Sequence, residues 1–408
     1  MSTQTEFVII GGGLAAAKAV EALRTAGFEG RITVVSEEKH RPYLRPPLSK
    51  DYLQGKATLD SLFVHPADWY RDQQVDLRLG ETATSIQRAT QTVTLSGSSD
   101  LHYDKLLLAT GSRPRRLTLP GADLSGIHYL RRIEDSDAIR GAFARGDRVT
   151  IIGAGWIGLE TAAAAREAGC DVTVVETASL PLVKVLGSEA AQVFADLHVQ
   201  HGVNLRLGAR LRDFTGDSDR VTDVRLEDGS EIPTDTVIVG VGIDPNVTLA
   251  EAAGIDVDDG VLVDEHLRSS DPDVFAVGDV ANAYNPKLGR RIRVEHWANA
   301  LHQPEVAALG MMGRDAQYDR LPYFYSDQYD VAMEYIGFAE PGHYDQVVFR
   351  GDVAGRRFIA FWLVEGRVLA GMNVNTPDVV DAITSLIESG RRVDVARLAD
   401  PLGQFADA

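Results

Sequence analysis

Near its N-terminus the chain reads Phe7-Val8-Ile9-Ile10-Gly11-Gly12-Gly13-Leu14-Ala15-Ala16. Four consecutive apolar residues predict a buried strand, and the alanine-rich residues 14–25 predict a helix directly after the glycines. Gly11 permits a tight turn, Gly13 lets backbone approach a pyrophosphate, and Ala16 is small enough for the helix to pack on the strand. A phosphate here would lie at a helix N-terminus, where N–H groups and the helix dipole favour negative charge. The stretch therefore predicts a dinucleotide-binding loop.

The same pattern returns at residues 149–158, which read VTIIGAGWIG. A predicted helix over 159–168 leads to a predicted strand over 172–175, and Glu176 follows it. In the first repeat, Glu37 holds the corresponding place after the second strand. An acid about 20 residues beyond the glycines is the usual ligand of an adenosine ribose. Two such repeats in one chain predict two Rossmann-like domains.

Glu176 also predicts which nicotinamide cofactor binds the second loop. A carboxylate accepts a hydrogen bond from a ribose 2′-hydroxyl but repels a 2′-phosphate. The sequence has no arginine between Glu176 and Arg206 that could clamp such a phosphate, and only Lys184 could partly substitute. We therefore expect NADH rather than NADPH, although Glu176 could also be an ordinary surface charge at a strand end.

Composition narrows the class of protein. The 408 residues, with 44% hydrophobic and 25% charged side chains, suit two or three globular domains. The net charge of -18 argues against nucleic-acid binding. The single cysteine, Cys170, excludes an internal disulfide and a CxxC redox or zinc centre, and no metal site is expected. Residues 1–6 lack a basic signal region and no apolar run predicts a membrane span, so we expect a cytoplasmic protein.

Later segments complete the predicted architecture. Residues 274–279 predict a buried strand that delivers Asp279 at its carboxyl end, where open α/β sheets bind ligands, although Asp279 could instead cap a helix. Aromatic residues and alternating strands follow, with a predicted helix over 377–389, and most of these aromatics should be core. The predicted fold class is α/β, with two Rossmann-like dinucleotide-binding domains, the FAD domain interrupted by the NAD domain, and a C-terminal α+β domain. The predicted domains are 1–113 with 245–320 for FAD, 114–244 for NAD, and 321–408 for the C-terminal domain.

Five motifs in this order resemble one family. They are Gly11-Gly12-Gly13-Leu14-Ala15-Ala16, Arg45-Pro46-Pro47-Leu48-Ser49-Lys50, Leu108-Ala109-Thr110-Gly111, Gly153-Ala154-Gly155-Trp156-Ile157-Gly158-Leu159-Glu160 and Phe275-Ala276-Val277-Gly278-Asp279. Together they resemble the FAD-dependent NADH:ferredoxin reductases of bacterial oxygenase systems, putidaredoxin reductase-like enzymes with the glutathione-reductase fold. The resemblance runs nearly end to end.

The resemblance implies roles for individual residues. Lys50 matches a lysine beside the flavin ring and Glu160 the glutamate that meets it near the nicotinamide, so these two are the candidate catalytic residues. Without the resemblance, Arg45 and Lys50 could be solvated side chains on a connector stiffened by prolines. The implied FAD-binding residues are Gly11, Gly13, Leu14, Ala15, Glu37, Arg45, Lys50, Ala83, Arg131, Asp279 and Trp297. The implied NADH-binding residues are Gly153, Gly155, Trp156, Ile157, Glu160, Glu176 and Gly242.

The implied reaction is hydride transfer from NADH to FAD, followed by single-electron transfer to a [2Fe-2S] ferredoxin that supplies a monooxygenase or dioxygenase. Related disulfide reductases, coenzyme A disulfide reductases and cysteine-dependent NADH oxidases and peroxidases need a redox cysteine near the flavin. Residues 37–52 contain none, which argues against those chemistries. An acidic ferredoxin would need a basic patch on this acidic protein, and Arg290, Arg291 and Arg293 are the candidates, although they could form a solvated loop. We expect no nucleic-acid or membrane partner and a monomer or weak dimer.

Two other functions stay open from the sequence. One is a cysteine-independent flavin NADH oxidase or small-acceptor reductase, including the monodehydroascorbate type, which would use oxygen or a small radical. The other is a non-enzymatic redox sensor like apoptosis-inducing factor, in which NADH binding changes the oligomeric state. Proteins of that second class usually carry targeting segments and a basic surface, and this acidic sequence shows neither.

Overall fold

The computed structural model describes residues 4–97 and 99–403. Within them the helices are α1 Leu14–Thr25, α2 Leu59–Leu62, α3 Ala67–Asp72, α4 Ile133–Ala144, α5 Trp156–Glu167, α6 Val183–Gln200, α7 Thr248–Ala252, α8 Trp297–Met311, α9 Val380–Ser389 and α10 Val395–Ala399. The strands up to residue 128 are β1 Glu6–Ile10, β2 Arg31–Ser36, β3 Val75–Leu79, β4 Ala83–Gln87, β5 Thr92–Leu95, β6 Leu101–His102, β7 Lys105–Leu108, β8 Ser112–Pro114 and β9 Ile127–His128.

The next strands are β10 Val149–Ile152, β11 Val172–Glu176, β12 Asn204–Leu207, β13 Leu211–Asp217, β14 Arg220–Leu226, β15 Glu231–Pro233, β16 Thr236–Val239 and β17 Ile243–Pro245. The last are β18 Val261–Val263, β19 Val274–Ala276, β20 Ala281–Asn285, β21 Arg290–Ile292, β22 Tyr323–Gln328, β23 Val331–Gly337, β24 Gln346–Asp352, β25 Arg357–Val364 and β26 Arg367–Val374.

The chain folds into two compact units. The first unit comprises residues 1–44, 59–113 and 243–322. The second unit comprises residues 45–58, 114–242 and 323–408. The segment that carries Arg45 and Lys50 thus belongs to the second unit, and the boundary proposed near residue 321 falls at a junction between the two.

The first unit is built on a parallel sheet in the strand order β19-β7-β1-β2-β3. Its central strand β1 is apolar and buried from Phe7 to Ile10, as expected for a parallel strand covered on both faces. Ala16 and Ala19 of α1 are fully buried in the same core. Helix α8 packs against α1. Short side chains on α1 let this helix pack closely on the sheet.

The second unit repeats this design and adds an antiparallel sheet. Its parallel sheet has the order β12-β11-β10-β16-β9, with β10 at the centre in the place that β1 holds in the first unit. The antiparallel sheet has the order β22-β23-β26-β25-β24. Trp362 on β25 is fully buried and donates its indole N–H to the carbonyl of Leu186 on α6, 3.1 Å away. This contact joins the C-terminal sheet to helix α6 of its own unit.

The fold class predicted from the sequence is confirmed, and most element boundaries are close. Helix α1 matches the prediction in full, since glycines precede it and Ala26-Gly27 ends it. Helix α5 begins three residues earlier than predicted, at Trp156, because the turn needs only residues 153–155. Strand β11 extends one residue further, so Glu176 is its last residue rather than the residue after it. Helix α9 begins at Val380, three residues after the predicted start.

The described residues contain neither a helix that could span a membrane nor a cluster that could bind a metal ion. None of their helices combines the length and hydrophobicity needed to span a bilayer. No cluster of three or more His, Cys, Asp or Glu side chains in residues 4–97 and 99–403 could hold a metal ion.

Candidate functional site

The first glycine loop connects β1 to α1, and its three glycines differ in the space around them. Gly11 has φ +123°, and a Cβ there would lie 2.0 Å from the carbonyl oxygen of Ala109. A Cβ on Gly12 would lie 2.1 Å from Ser36 Oγ. Around Gly13, which precedes the first turn of α1, a Cβ would meet no protein atom within 4 Å. The chain itself does not require a glycine at that position, so the open space fits a phosphate at the helix N-terminus.

Asp279 is brought to the same end of the first unit. It lies in a single 3₁₀ turn directly after β19, and its Oδ2 accepts a hydrogen bond from Ser112 Oγ at 2.7 Å. A Cβ on the preceding Gly278 would lie 3.6 Å from the Cβ of Ala15, in the first turn of α1. Helix α8 begins after His296 instead, so Asp279 does not cap it. Asp279 thus belongs to the turn that meets the start of α1, and its role as a cofactor ligand remains a prediction.

The other implied FAD residues of the first unit lie at strand ends and helix starts. Glu37 is exposed and follows β2, Ala83 is half-buried and opens β4, and Trp297 is half-buried and opens α8. Burial lowers the pKa of His296, which precedes Trp297, to about 4, so its imidazole is neutral. The assignment of Glu37, Ala83 and Trp297 to FAD remains a prediction.

The second glycine loop connects β10 to α5 with a similar course. Gly153 has φ +101°, and a Cβ there would lie 2.4 Å from the carbonyl oxygen of Gly240. A Cβ on Gly158 would lie 2.1 Å from the carbonyl oxygen of Gly153, so the third glycine is required where helix meets strand. A Cβ on Gly155 would meet nothing within 4 Å. Gly155 thus lines an open space at the N-terminus of α5, as Gly13 does at α1.

Glu176 lies beside the second loop and is hydrogen-bonded to it. Its Oε2 accepts from the backbone N–H of Ala154 at 2.8 Å, and its Oε1 accepts from Ala178 N at 2.8 Å and Thr177 Oγ1 at 3.0 Å. Burial by itself raises the pKa of Glu176, but the hydrogen bonds from Ala154, Ala178 and Thr177 outweigh it and lower the pKa. The carboxylate is therefore held ionised beside the loop, where it favours a ribose hydroxyl and disfavours a phosphate.

Further implied NADH residues are Trp156 and Ile157, which open α5, and Gly242, which precedes β17. Ile157 is 44% exposed, an unusual position for a large apolar side chain. Trp156 is half-buried and packs edge-on against Phe194 with ring centroids 5.4 Å apart, so it also serves the core. Gly242 has φ +105°, and its carbonyl accepts from Arg115 N at 2.9 Å.

Lys50 and Glu160 form a buried ion pair within the second unit. Lys50 Nζ lies 2.8 Å from Glu160 Oε1, and their side chains are 13% and 3% exposed. Ser49 Oγ donates to Glu160 Oε2 at 2.5 Å, and Ser326 Oγ donates to Glu160 Oε1 at 2.7 Å. Taking both charges out of water is costly, and the two hydroxyl groups offset part of that cost. The pair that the resemblance implied is therefore present and held in one geometry.

Several residues around this pair were not identified from the sequence. Ser49 lies inside a recognised motif but received no role, and Ser326 and Tyr325 lie in a stretch whose aromatics were assigned to the core. Phe324 is indeed buried, but the ring of Tyr325 lies 5.4 Å from Lys50 Nζ. Burial and the nearby carboxylates raise the pKa of Tyr325 to about 12. The alternation of side chains along β22 was the available signal, since it puts Phe324 and Ser326 on one face.

Arg45 and Arg131, both implied to contact FAD, meet in the second unit. Arg45 Nη1 donates to the carbonyl oxygen of Arg131 at 2.7 Å. Arg131 N in turn donates to Asp135 Oδ2 at 3.0 Å, at the start of α4. The segment that carries Lys50 is thus anchored to the start of α4.

The three arginines proposed for docking differ from one another. Arg290 and Arg291 are exposed residues of β21. Arg291 Nη1 also donates to the carbonyl oxygen of Val263. The side chain of Arg293 is only 9% exposed and pairs with Asp259 at 3.0 Å and Glu295 at 2.7 Å. The charge of Arg293 is therefore compensated within the first unit.

Cys170 is a core residue, as predicted. It is fully buried beside Phe143, whose carbonyl lies 3.7 Å from Cys170 Sγ. Burial raises the pKa of its thiol, which keeps it protonated and unreactive.

Comparison with known proteins identifies the family. A family model described as pyridine nucleotide-disulphide oxidoreductase matches residues 5–303, and one described as reductase C-terminal matches residues 323–407. The chain is 41% identical to the 5,5'-dehydrodivanillate O-demethylase ferredoxin reductase subunit of Sphingobium sp. strain SYK-6, over 96% of this chain and 95% of that protein. It is 39% identical to putidaredoxin reductase CamA of Pseudomonas putida, over 92% of this chain and 90% of that protein.

A solved structure agrees with this result. The crystal structure of the covalent putidaredoxin reductase-putidaredoxin complex contains a chain that superimposes with a TM-score of 0.93 at 38% identity, covering 97% of this chain and 96% of that one. Sequence and structure thus agree over almost the full length. The chain belongs to the pyridine nucleotide-disulphide oxidoreductase family, among its putidaredoxin reductase-like ferredoxin reductases of oxygenase systems.

Proposed function

We propose that the protein oxidises NADH at a bound FAD and passes the electrons singly to a [2Fe-2S] ferredoxin that supplies a monooxygenase or dioxygenase. The observation that carries this proposal is the pair of open glycine loops, at Gly13 and at Gly155, in a chain without a dithiol. Two dinucleotides can be held, and the protein offers no dithiol of its own to receive their electrons, since its single thiol is buried. An external acceptor is therefore required.

We assign FAD to the first loop and NADH to the second. Glu176 is the reason, because its ionised carboxylate at the second loop suits the adenosine ribose of NADH. Gly11, Gly13, Leu14, Ala15 and Asp279 would then hold the FAD pyrophosphate and ribityl chain. When bound, FAD can accept two electrons together and release them one at a time, which is the chemistry that links NADH to an iron–sulfur protein.

We assign Lys50 and Glu160 to the electron-entry step. The ammonium of Lys50 would stabilise the negative charge that builds up on the flavin ring. Glu160 holds that ammonium at 2.8 Å and balances its charge before the reaction. The pair therefore supplies a positive charge whose position is set in advance, which saves the cost of reorganising it during turnover.

The acceptor is proposed to be a ferredoxin because disulphide chemistry does not fit this chain. The family name refers to disulphides, but Cys170 is single, buried and held as a thiol. Relatives over almost the full length are named as ferredoxin reductases. A reducing cytoplasm suits a protein that uses NADH and keeps its single thiol reduced.

We propose Arg290 and Arg291 as the basic docking patch for the ferredoxin. The net charge of -18 would repel an acidic partner, so a local positive patch is needed for rapid association. Arg293 contributes less than the sequence suggested, since Asp259 and Glu295 compensate it. Arg293 instead holds the segment before Trp297 through its pairs with Asp259 and Glu295.

An anaerobic titration tests the central proposal. Addition of NADH should bleach the visible flavin band of the yellow protein, and NADPH should do so far more slowly. The reduced protein should then reduce a [2Fe-2S] ferredoxin much faster than it reduces oxygen. Faster reaction with oxygen would favour an NADH oxidase, and a change of oligomeric state without turnover would favour a redox sensor.

Charge reversal tests the docking patch. Arg290→Glu should slow ferredoxin reduction about tenfold at low salt and less at high salt, because exposed charges act mainly on association. Ferricyanide reduction should be unchanged. Arg210→Glu, at an exposed residue of the second unit, is the matched control. Equal losses for both variants, or for both acceptors, would reject the patch.

A further inference from the structure

His198 is a fully buried titratable residue that no recognised motif contains. It lies on α6, and its Nε2 is 2.9 Å from Gln328 Oε1 on β22. The hydroxyl of Tyr329 lies 3.5 Å from its Nδ1. Burial lowers the pKa of His198 to about 4, so the imidazole is neutral. Both ring nitrogens thus lie near polar groups, as buried polar side chains usually do, and the partners of these groups lead to the ion pair.

A chain of hydrogen bonds leads from His198 through Gln328 and Ser326 to Glu160, and every bond in it has the same direction. An amide oxygen can only accept, so His198 Nε2 carries the proton and donates to Gln328 Oε1. Gln328 Nε2 donates to Ser326 Oγ at 3.1 Å. The Ser326 hydroxyl then donates to Glu160 Oε1 at 2.7 Å. Each donor points toward the carboxylate, and such aligned bonds polarise and strengthen one another.

The hydrogen-bond chain ends at the Lys50–Glu160 ion pair. Glu160 Oε1 receives both Ser326 Oγ and Lys50 Nζ, and Oε2 receives Ser49 Oγ. Ser326 and Gln328 are 1% and 2% exposed, so water does not replace their bonds. The amide of Gln328 carries no titratable proton, so the chain orients Glu160 rather than conducting protons to it.

We propose that His198, Gln328 and Ser326 are positioning residues that fix Glu160, and through it Lys50, for electron entry from NADH. This inference rests on the proposed function. It assigns a role in the reaction to α6 and to the C-terminal sheet. His198 on α6 and Gln328 on β22 do not contact the ion pair themselves.

The proposed role of the hydrogen-bond chain can be tested, because positioning and structural support affect different measurements. Support for the fold alone would change stability and leave the reaction of folded protein intact. Positioning changes the limiting rate of flavin reduction by NADH, with little change in the NADH dissociation constant. It also leaves electron exit to ferredoxin unchanged, because Lys50 acts in the entry step.

The experiment is anaerobic stopped-flow reduction of the FAD-loaded protein over a range of NADH concentrations. Ser326→Ala should lower the limiting rate about tenfold, the effect of losing one hydrogen bond to a buried charge. Ser326→Thr keeps a hydroxyl and should restore the rate to within about threefold. Thr234→Val, at a fully buried hydroxyl elsewhere in the second unit, should leave the rate unchanged.

A second pair of variants tests His198, at the end of the hydrogen-bond chain that is farthest from Glu160. His198→Met removes the donor to Gln328 and should lower the limiting rate about threefold, whereas His198→Gln offers an amide donor and should recover it. This pair decides the question if Ser326→Ala does not fold. Wild-type limiting rates in folded Ser326→Ala or His198→Met would overturn the inference. Failure of the wild-type protein to be reduced by NADH would instead reject the proposed function.

Discussion

The two glycine loops are nearly the same in sequence, yet their small residues are small for different reasons. At the third position of the motif, the first loop has Ala16, which is fully buried, whereas the second has Gly158, where a Cβ would lie 2.1 Å from a carbonyl oxygen. At the residue between the first two motif glycines of each loop, the steric constraint is the other way round. Gly12 has no room for a Cβ, whereas Ala154 is accommodated. A shared motif therefore does not imply shared steric constraints.

The side chain next to this residue also differs in charge between the two loops. Gly11 N and Gly153 N donate to the carbonyls of Val35 and Val175, which makes these two valines equivalent. The residue after Val35 is Ser36, whereas the residue after Val175 is Glu176. The two predicted ribose acids therefore do not occupy equivalent positions, because Glu37 lies one residue further along. The second loop is approached by a fixed carboxylate and the first by a serine.

The largest effects should come from the two glycines with positive φ. Gly11→Ala and Gly153→Ala combine an unfavourable backbone angle with a Cβ 2.0 and 2.4 Å from backbone carbonyl oxygens. Each should lower the free energy of unfolding by about 3 kcal/mol or more. Urea unfolding measures the loss. Gly11→Ala should also purify with little FAD, whereas Gly153→Ala should keep FAD and lose NADH-dependent reduction. Similar FAD and NADH losses in both variants would break the distinction between the loops.

Intermediate effects should come from the two glycines that border open space. Gly13→Ala and Gly155→Ala add a Cβ that meets no protein atom within 4 Å. Stability should fall by no more than about 1 kcal/mol, the usual penalty for alanine at a helix N-cap. Affinity should fall at least tenfold, for FAD in Gly13→Ala and for NADH in Gly155→Ala, because the methyl group occupies phosphate space. Titration of apoprotein with FAD, and of FAD-loaded protein with NADH, would measure this. Unchanged affinities would show that the phosphates lie elsewhere.

The smallest effects should come from the acids. Glu176→Gln should weaken NADH binding about tenfold, since one charge-assisted hydrogen bond is worth about 1.4 kcal/mol here, and should improve the relative use of NADPH. Glu37→Gln is the matched variant in the first unit. It should leave NADH binding unchanged and weaken FAD binding less than threefold, because Glu37 is exposed. If Glu37→Gln altered NADH binding instead, the assignment of the two cofactors to the two loops would be reversed.

Sequence patterns predicted the parts of the site that depend on neighbouring residues. Helix α1 was predicted to the residue, because glycines and alanines set the local backbone and packing. The contact between Lys50 and Glu160 was expected only through the resemblance, and it is present at 2.8 Å. The surroundings of Arg293 were not evident from the sequence. Three arginines in a short stretch suggested a basic patch, but Asp259, distant in sequence, pairs with Arg293 and removes much of its charge.

The sequence by itself determined two strand–glycine–helix repeats, an acid at the second one and the lack of a dithiol. These features follow from backbone angles, side-chain size and composition, which short stretches specify. Only the tertiary structure decided which hydroxyl groups stabilise Glu160, since Ser326 is 166 residues away in the chain. Such a contact depends on how the C-terminal sheet packs in the second unit, and no local pattern encodes that packing. The same is true of His198, whose neutral state results from burial by residues far from it in sequence.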